Sequence, residues 1–190
     1  TNLNDSGLGS LRQAILDAKA IGGDNTIQFQ SGLSGTILLT SGSLDISANL
    51  VINGPGSQVL TISCSNQNYR GIFDISEVTV TLNKLALKNC TSGAIVNSGT
   101  LTINNSVLSG NSTGSYGGAI DNSYGTLTIN NSVLSGNGGA YCLGGAIYNR
   151  YYSSDRPLTI NNSTLSGNSA DAGGAIYNVS NSPLTINNST

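Results

Sequence analysis

Acidic side chains are the first candidates for chemistry in this chain, because paired carboxylates carry acid–base catalysis and hold divalent cations. The sequence has nine of them, at positions 5, 17, 24, 45, 74, 77, 121, 155 and 171, and no two lie within two residues of each other. It has no histidine, the commonest general base and metal ligand. Asp121 is the one acid in a repeated segment, where the other copies have Val96, Tyr148 and Tyr177. We therefore expect no catalytic site, no cofactor and no metal site in these residues.

Tyrosine offers a second kind of chemistry, which is binding. Six of the eight tyrosines lie in or beside turns of variable length, and we take them as a candidate ligand surface: Tyr116, Tyr141, Tyr148, Tyr151, Tyr152 and Tyr177. If these turns share one face, the rings form an aromatic and polar surface that suits sugars or a protein. The alternative interpretation is that tyrosine covers the turns only as a β-favouring residue.

Composition limits the other classes of function. Charged residues make up 8% of the chain, against about 25% in ordinary globular proteins, while apolar residues make up 37%. The formal net charge is −2 with seven basic residues, so we expect no nucleic-acid partner. No run of 18 apolar residues occurs, so we expect no direct membrane insertion. The start at Thr1 and the lack of methionine favour a mature or excised segment whose signal peptide, if any, is gone.

Cysteine usage predicts little. Cys64, Cys90 and Cys142 are scattered and odd in number, and the sequence has no CxxC motif. This pattern predicts neither a disulfide framework nor a metal site. It does not indicate a cellular compartment.

The elements that would position these side chains are repeated. LTINNSVLSGN occurs at 101–111 and 127–137, LTINNSTLSGN at 158–168, and LTINNST starts at 184. Its apolar residues alternate, which predicts a half-buried strand. A second strand segment is predicted at 93–97, 118–122, 145–149 and 174–178, with the sequence GAI-x-Asn. The steps between LTINN copies are 26, 31 and 26 residues, and the variation falls in the turns, which is typical of stacked solenoid coils.

The chain divides into two predicted regions. Residues 1–25 form an N-terminal cap with one helix at about 10–20, because Ser10 and Gln13 have capping-box spacing and an apolar face follows. Residues 26–190 form a parallel β-helix of about six to seven coils, since VTLNKLALKNC (80–90) aligns with LTINNSVLSGN and earlier strands are predicted at LTISC and LDIS. We expect the helix to cover the apolar interior of the first coil.

Asparagine recurs at fixed places in both strand segments. One column contains Asn97, Asn122, Asn149 and Asn178, and a second contains Asn105, Asn131, Asn162 and Asn188. In stacked coils each amide can donate to the amide one coil away, so we expect both columns to form inward ladders, with Asn130 facing solvent. The alternative is glycosylation, because Asn-Asn-Ser at 104–106, 130–132 and 161–163 matches the acceptor pattern.

These segments resemble a known group of proteins. The opening NDSGLGSLRQAILDAKAIGGDNTIQF, INGPG at 52–56 and the GGAIYN and LTINNSTLSGN units resemble right-handed parallel β-helix repeat proteins of bacterial surfaces. GGAI also resembles the repeats of polymorphic outer-membrane autotransporters, whose other tetrapeptide, FxxN, is missing here. The resemblance implies a right-handed, all-β parallel β-helix with a structural or adhesive role, secreted to the extracellular side or the cell surface.

Several alternatives stay open. A leucine-rich repeat is the second fold, because LxxLxLxxN spacing is loosely met. The second function is a carbohydrate-binding or carbohydrate-active β-helix with its chemistry outside these residues. A third is ice binding, because Thr102, Thr128, Thr159 and Thr185 form an outward column beside Asn104, Asn130, Asn161 and Asn187.

The predicted partners follow from the surfaces that the repeat exposes. The final LTINN strand would leave Leu184 and Ile186 uncovered. We therefore expect this end to be covered by further coils of a longer chain, or by another copy or subunit. Surface glycans or proteins are the other expected partners.

Overall fold

The computed structural model describes residues 1–65, 71–150, 155–179, 181 and 183–190. Within them, helix α1 (Leu11–Ile21) is followed by 19 strands that enter three parallel sheets in strict rotation. One strand of each sheet makes one coil, so the chain is a parallel β-helix of about six coils behind a short helix. The predicted fold is confirmed, and the leucine-rich repeat is not observed in the described part of the chain.

The three sheets run the length of the rod, and their strands are counted here over the described residues. Sheet A has seven strands: β1 (Asn25–Gln28), β4 (Leu50–Asn53), β7 (Thr79–Asn83), β10 (Thr100–Asn104), β13 (Thr126–Asn130), β16 (Leu158–Asn161) and β19 (Leu184–Asn187). Sheet B has six: β2 (Gly35–Leu39), β5 (Leu60–Cys64), β8 (Ala86–Lys88), β11 (Val107–Ser109), β14 (Val133–Ser135) and β17 (Thr164–Ser166). Sheet C also has six: β3 (Leu44–Ile46), β6 (Phe73–Ile75), β9 (Ile95–Asn97), β12 (Ile120–Asn122), β15 (Ile147–Arg150) and β18 (Ile176–Val179).

Register between coils follows the sequence repeat. Val80 of β7 pairs with Leu101 of β10, and Leu87 of β8 pairs with Leu108 of β11, so the predicted alignment of VTLNKLALKNC is confirmed. The predicted early strands also form. They enter different sheets, because LTISC is β5 of sheet B and LDIS lies on β3 of sheet C.

The interior is a set of stacked apolar columns, one or two from each sheet. In sheet A, alternate residues such as Leu127 and Ile129 point inward and are fully buried, while Thr128 and Asn130 point outward. Sheet C contributes Phe73, Ile95 and Ile147 to the same core. Each fully buried aliphatic side chain contributes about 1.5–3 kcal/mol, so the core accounts for much of the stability.

Helix α1 closes the first coil, as the sequence predicts. Ser10 is its N-cap, and its hydroxyl accepts a hydrogen bond from the Gln13 amide at 3.1 Å. The Gln13 side chain donates to Asp17 instead of returning to Ser10, so half of the predicted capping box forms. Leu11 and Ile15 are buried, and the helix packs on β1 and β3.

Asp5 ties the N-terminal segment to the first coil. Its carboxylate accepts hydrogen bonds from the backbone amides of Thr40 and Ser41, from their hydroxyls and from Arg12. Arg12 also donates to the carbonyls of Gly42 and Ser43, both at 2.6 Å. Burial alone would raise the pKa of Asp5, but these hydrogen bonds outweigh burial and hold the pKa well below its usual range.

A disulfide joins two consecutive coils. Cys64, at the end of β5, is bonded to Cys90, just after β8, with 4.8 Å between their Cα atoms. The sequence predicts no disulfide framework and leaves the state of each cysteine open, and the structure contains this one bond. Their separation of 26 residues is one more than the 25-residue offset between paired residues of β5 and β8, so the two cysteines lie side by side on consecutive coils. Cys142 is free and buried.

Candidate functional site

The first predicted asparagine ladder forms inside sheet C. Asn97 donates to Asn122 at 2.7 Å, Asn122 to Asn149 at 2.6 Å and Asn149 to Asn178 at 2.5 Å, each from side-chain amide to side-chain carbonyl. Asn97, Asn122 and Asn149 are buried. Asn122 also donates to the Gly125 carbonyl, so the ladder supports the turns from sheet C to sheet A.

The second predicted ladder is wrong by one residue. Asn105, Asn131, Asn162 and Asn188 are exposed and have φ values of 48–52°, because they turn the chain out of sheet A. The ladder is built by the residue before each of them. Its members, linked at 2.8–2.9 Å, are Asn53, Asn83, Asn104, Asn130, Asn161 and Asn187.

A third ladder was not predicted. The side-chain carbonyl of Asn137 accepts from the side-chain amide of Asn111, and the side-chain amide of Asn137 donates to the side-chain carbonyl of Asn168, both at 3.0 Å. Serine hydroxyls support a different set of turns, those from sheet A to sheet B. Ser132, for example, accepts a hydrogen bond from the Ser106 backbone amide and donates to the Asn130 backbone carbonyl. Both the third ladder and the serine hydrogen bonds could have been predicted, because these asparagines and serines occupy the same position in every LTINN–LSGN unit. Because the Asn130 amide and the Ser132 hydroxyl are occupied, the Asn-Asn-Ser triplets favour the structural interpretation over glycosylation.

The outer face of sheet C changes character along the rod. Register aligns one outward column through its six strands: Asp45, Asp74, Val96, Asp121, Tyr148 and Tyr177. Asp45 and Asp74 are direct register partners although 29 residues separate them in sequence. Sequence reasoning missed this pair because it considered only acids that are close together along the chain. The face is acidic toward the helix and aromatic toward the other end.

Three of the predicted tyrosines stack on this face. The ring centroids of Tyr116 and Tyr148 are 4.5 Å apart, and those of Tyr148 and Tyr177 are 5.8 Å apart. Tyr148 is only 3% exposed, and this burial raises its pKa, while a hydrogen bond and the charge of Arg150 act in the opposite direction. Tyr141 is 83% exposed and is not in the stack. Tyr151 and Tyr152 lie outside the described residues, and the ligand surface itself stays a prediction.

A groove of about 620 Å³ lies beside this stack, and we call it the sheet C groove. Val96 of β9 and Asp121 of β12 line its floor, and Arg150 of β15 lines it farther along the rod. Tyr116, before β12, and Tyr124, after β12, flank the floor at the two ends of that strand. Hydroxyl groups line much of the rest, from Thr91, Ser92, Ser98, Thr113, Ser115 and Ser123.

Hydrogen bonds hold the groove residues in place. The Ser123 hydroxyl donates to the Asp121 carboxylate. Arg156 donates to the carbonyls of Ser98 and Tyr124, so it fixes the turns after β9 and β12 together. Sequence reasoning missed Tyr124, Arg150 and Arg156. Tyr124 is 56% exposed. It lies in the turn between two repeated strands, and this position could have identified it as a candidate groove residue.

The predicted threonine column lies on sheet A. Thr81, Thr102, Thr128, Thr159 and Thr185 are in register on its outer face, beside the outward asparagine ladder. The amides of that ladder bond to one another, which reduces their capacity to order water. Water ordering by this face stays a prediction, and thermal hysteresis measures it.

The described residues contain no group of three or more His, Cys, Asp or Glu arranged to hold a metal ion. No helix in the described part of the chain is long and apolar enough to cross a membrane. Comparison with protein-family models, curated proteins and solved structures found no match to this chain.

Proposed function

We propose that this protein is a non-enzymatic extracellular module, a rigid β-helical rod with a structural or adhesive role on a bacterial surface, built as a right-handed coil. The observation that supports the proposal is that the repeated residues have structural roles. In LTINNSVLSGN, the apolar residues fill the core and the asparagines and serines form ladders or turns. The repeated residues therefore stabilise the rod, and the residues that differ between coils are the candidates for binding.

The differences between coils support an adhesive role. They concentrate in the turns before and after the sheet C strands, where Tyr116 and Tyr124 line the groove, and at the end of β15, where Arg150 lines it. Loops that vary on a rigid scaffold commonly carry binding sites. A rod of this kind presents its loops at fixed spacing along its length.

The disulfide supports an extracellular location. Cys64–Cys90 is a bond of the kind that persists in secreted proteins and is rare in reducing compartments. Oxidised Cys64 and Cys90 in protein isolated from its native source, identified by peptide mass spectrometry, would agree with this location. A fully reduced pair would contradict it.

Carbohydrate binding is the second candidate function, and the sheet C groove favours it. Aromatic rings and hydroxyl groups together suit ligands that have both an apolar face and polar edges.

Adhesion under flow tests the main proposal. Residues 1–190 would be displayed on a non-adherent bacterial host, and retention would be measured on surfaces coated with matrix proteins or polysaccharides. We expect retention on at least one surface. We expect its loss for Gly145→Ala, because the added Cβ would lie 1.9 Å from the Gly174 carbonyl oxygen of the next coil. Equal retention of the wild type and this variant on every surface would contradict an adhesive role.

A further inference from the structure

The sheet C groove has a definite chemical character. Its floor combines a small apolar side chain, Val96, with the carboxylate of Asp121, and the guanidinium of Arg150 lies one strand farther along. The opposite charges of Asp121 and Arg150 balance, so the described lining residues provide no excess charge to attract a polyanion or a polycation. An uncharged ligand is favoured.

The two flanking tyrosines define the shape of that ligand. Tyr116 and Tyr124 are 43% and 56% exposed, so part of each residue is accessible to a ligand. Tyr116 is also held by its stack on Tyr148, which fixes the ring before any ligand arrives. Rings at both ends of the floor strand favour a flat ligand whose faces are apolar, as the C–H faces of a pyranose ring are.

The remaining lining supplies partners for hydroxyl groups. Ser and Thr hydroxyls both donate and accept, and the Asp121 carboxylate accepts. The volume of about 620 Å³ is within the range of about 300–1,000 Å³ that small-molecule sites occupy.

A peptide added as an extra strand does not fit this place. β9 is hydrogen-bonded to β6 and β12, and β12 to β9 and β15, so neither floor strand has a free edge. Addition of a peptide strand needs such an edge.

We propose that the sheet C groove binds a neutral oligosaccharide, with pyranose rings packed on Tyr116 and Tyr124 and hydroxyl groups bonded to Asp121 and the serine and threonine side chains. The inference builds on the adhesive function proposed above and names the ligand class of that surface. Binding requires no covalent step.

Isothermal titration calorimetry with purified residues 1–190 tests the site. The probes are cellohexaose, mannohexaose and chitohexaose, with hexagalacturonate as an acidic comparison. We expect at least one neutral hexasaccharide to bind with Kd of about 1 mM or tighter. Binding of none of the three, or of hexagalacturonate alone, overturns the proposal.

Matched tyrosine variants locate the binding. Tyr124→Ala should weaken the affinity by about tenfold or more, because buried tyrosine contacts dominate such interfaces. Tyr124→Phe keeps the ring and should stay within about threefold of the wild type, and Tyr141→Ala, an exposed tyrosine outside the groove, should not change the affinity. Unchanged binding by Tyr124→Ala overturns the assignment to this groove.

The two proposals fail in different ways. If adhesion is observed but no neutral hexasaccharide binds, the groove proposal is wrong and the adhesive function is still supported. Hexasaccharide binding without adhesion supports the groove and contradicts the adhesive function.

Discussion

The paired asparagines of each LTINN segment occupy two different backbone conformations. Asn130 is the last residue of β13, and its amide bridges Asn104 and Asn161. Asn131 follows with φ of 49°, a region that asparagine tolerates better than most residues. The first position needs an amide and the second needs tolerance of a left-handed turn.

Substitution at these two positions should separate their roles. Asn130→Ala removes two ladder hydrogen bonds and should lower the free energy of unfolding by about 1–2 kcal/mol. Asn131→Gly keeps the left-handed turn without a steric penalty and should change it by less than about 0.5 kcal/mol. Urea unfolding followed by circular dichroism measures both. A larger loss in Asn131→Gly would contradict the observed register.

Asp5 should make the first coil sensitive to acid. Its pKa is lowered in the folded state, so its stabilisation is complete above the unfolded pKa of about 3.9 and is lost as pH falls below that value. Asp5→Asn should cost about 1–3 kcal/mol at pH 7, and its deficit relative to the wild type should shrink by pH 3. Thermal unfolding from pH 3 to 7 measures the difference.

Asp17→Asn is the control for this experiment. It removes the same charge from an exposed position of helix α1, so it should retain the wild-type loss of stability in acid. A constant deficit of Asp5→Asn across this pH range would contradict the role of the Asp5 carboxylate.

At the scale of elements, the double glycine of GGAI allows coils to stack closely. Gly144 has φ of 74°, and a Cβ atom on Gly145 would lie 1.9 Å from the Gly174 carbonyl oxygen of the next coil. The first glycine therefore serves the turn, and the second allows two backbones to approach.

Alanine at the second glycine should be poorly tolerated. Gly145→Ala should lower the free energy of unfolding by about 3 kcal/mol or more, because the obstructing atom is backbone and cannot rotate away. Gly114→Ala is the matched control, since its Cβ would meet nothing within 4 Å, and should stay within about 0.5 kcal/mol of the wild type. Thermal unfolding of both variants and of the wild type measures these differences in stability. Equal stability would show that the coils can separate at this turn.

The repeat made the elements predictable, whereas contacts between coils were harder to foresee. Alternation in LTIN correctly placed Leu127 and Ile129 inward, because one buried face determines a strand's register. Extending that alternation to Asn131 failed, since its left-handed conformation ends the strand. Outward Asn130 forms the ladder because parallel neighbours on either face are about 4.8 Å apart.

Residues outside the identical segments were the hardest to predict. Cys64 and Cys90 are separated by about one coil length, and that spacing is visible in the sequence once the coil length is known. The sheet C groove depends on turns of unequal length, which bring Tyr116, Tyr124 and Arg156 to one place. No period in the sequence encodes that arrangement.

Over residues 1–190, the first and the last coil of the rod differ in how well they are covered. Helix α1 covers the first coil, whereas Leu184 and Ile186 on β19 are 38% and 50% exposed. Their register partners one coil earlier, Leu158 and Ile160, are fully buried. The open side of β19, where a further strand would pair, is therefore an apolar surface with backbone groups available for pairing.

Residues 1–190 should self-associate through that face. Sedimentation velocity should show a mass that rises with concentration, and Leu184→Lys with Ile186→Lys should shift the protein toward monomer, because charge opposes strand-to-strand docking. Leu16→Lys, at a 51% exposed position of helix α1, is the control at the opposite end and should associate like the wild type. A wild-type protein that is monomeric at all concentrations would contradict this expectation.

The disulfide also changes how the rod would respond to a pulling force. Cys64 and Cys90 enclose one coil, so tension applied at the two ends passes through the sulfur atoms and bypasses the residues between them. When the chain is pulled straight, the oxidised form should be shorter than the reduced form by roughly 90 Å, from 26 residues at about 3.4 Å each. A tether built in this way keeps one coil out of the load path while its neighbours unravel.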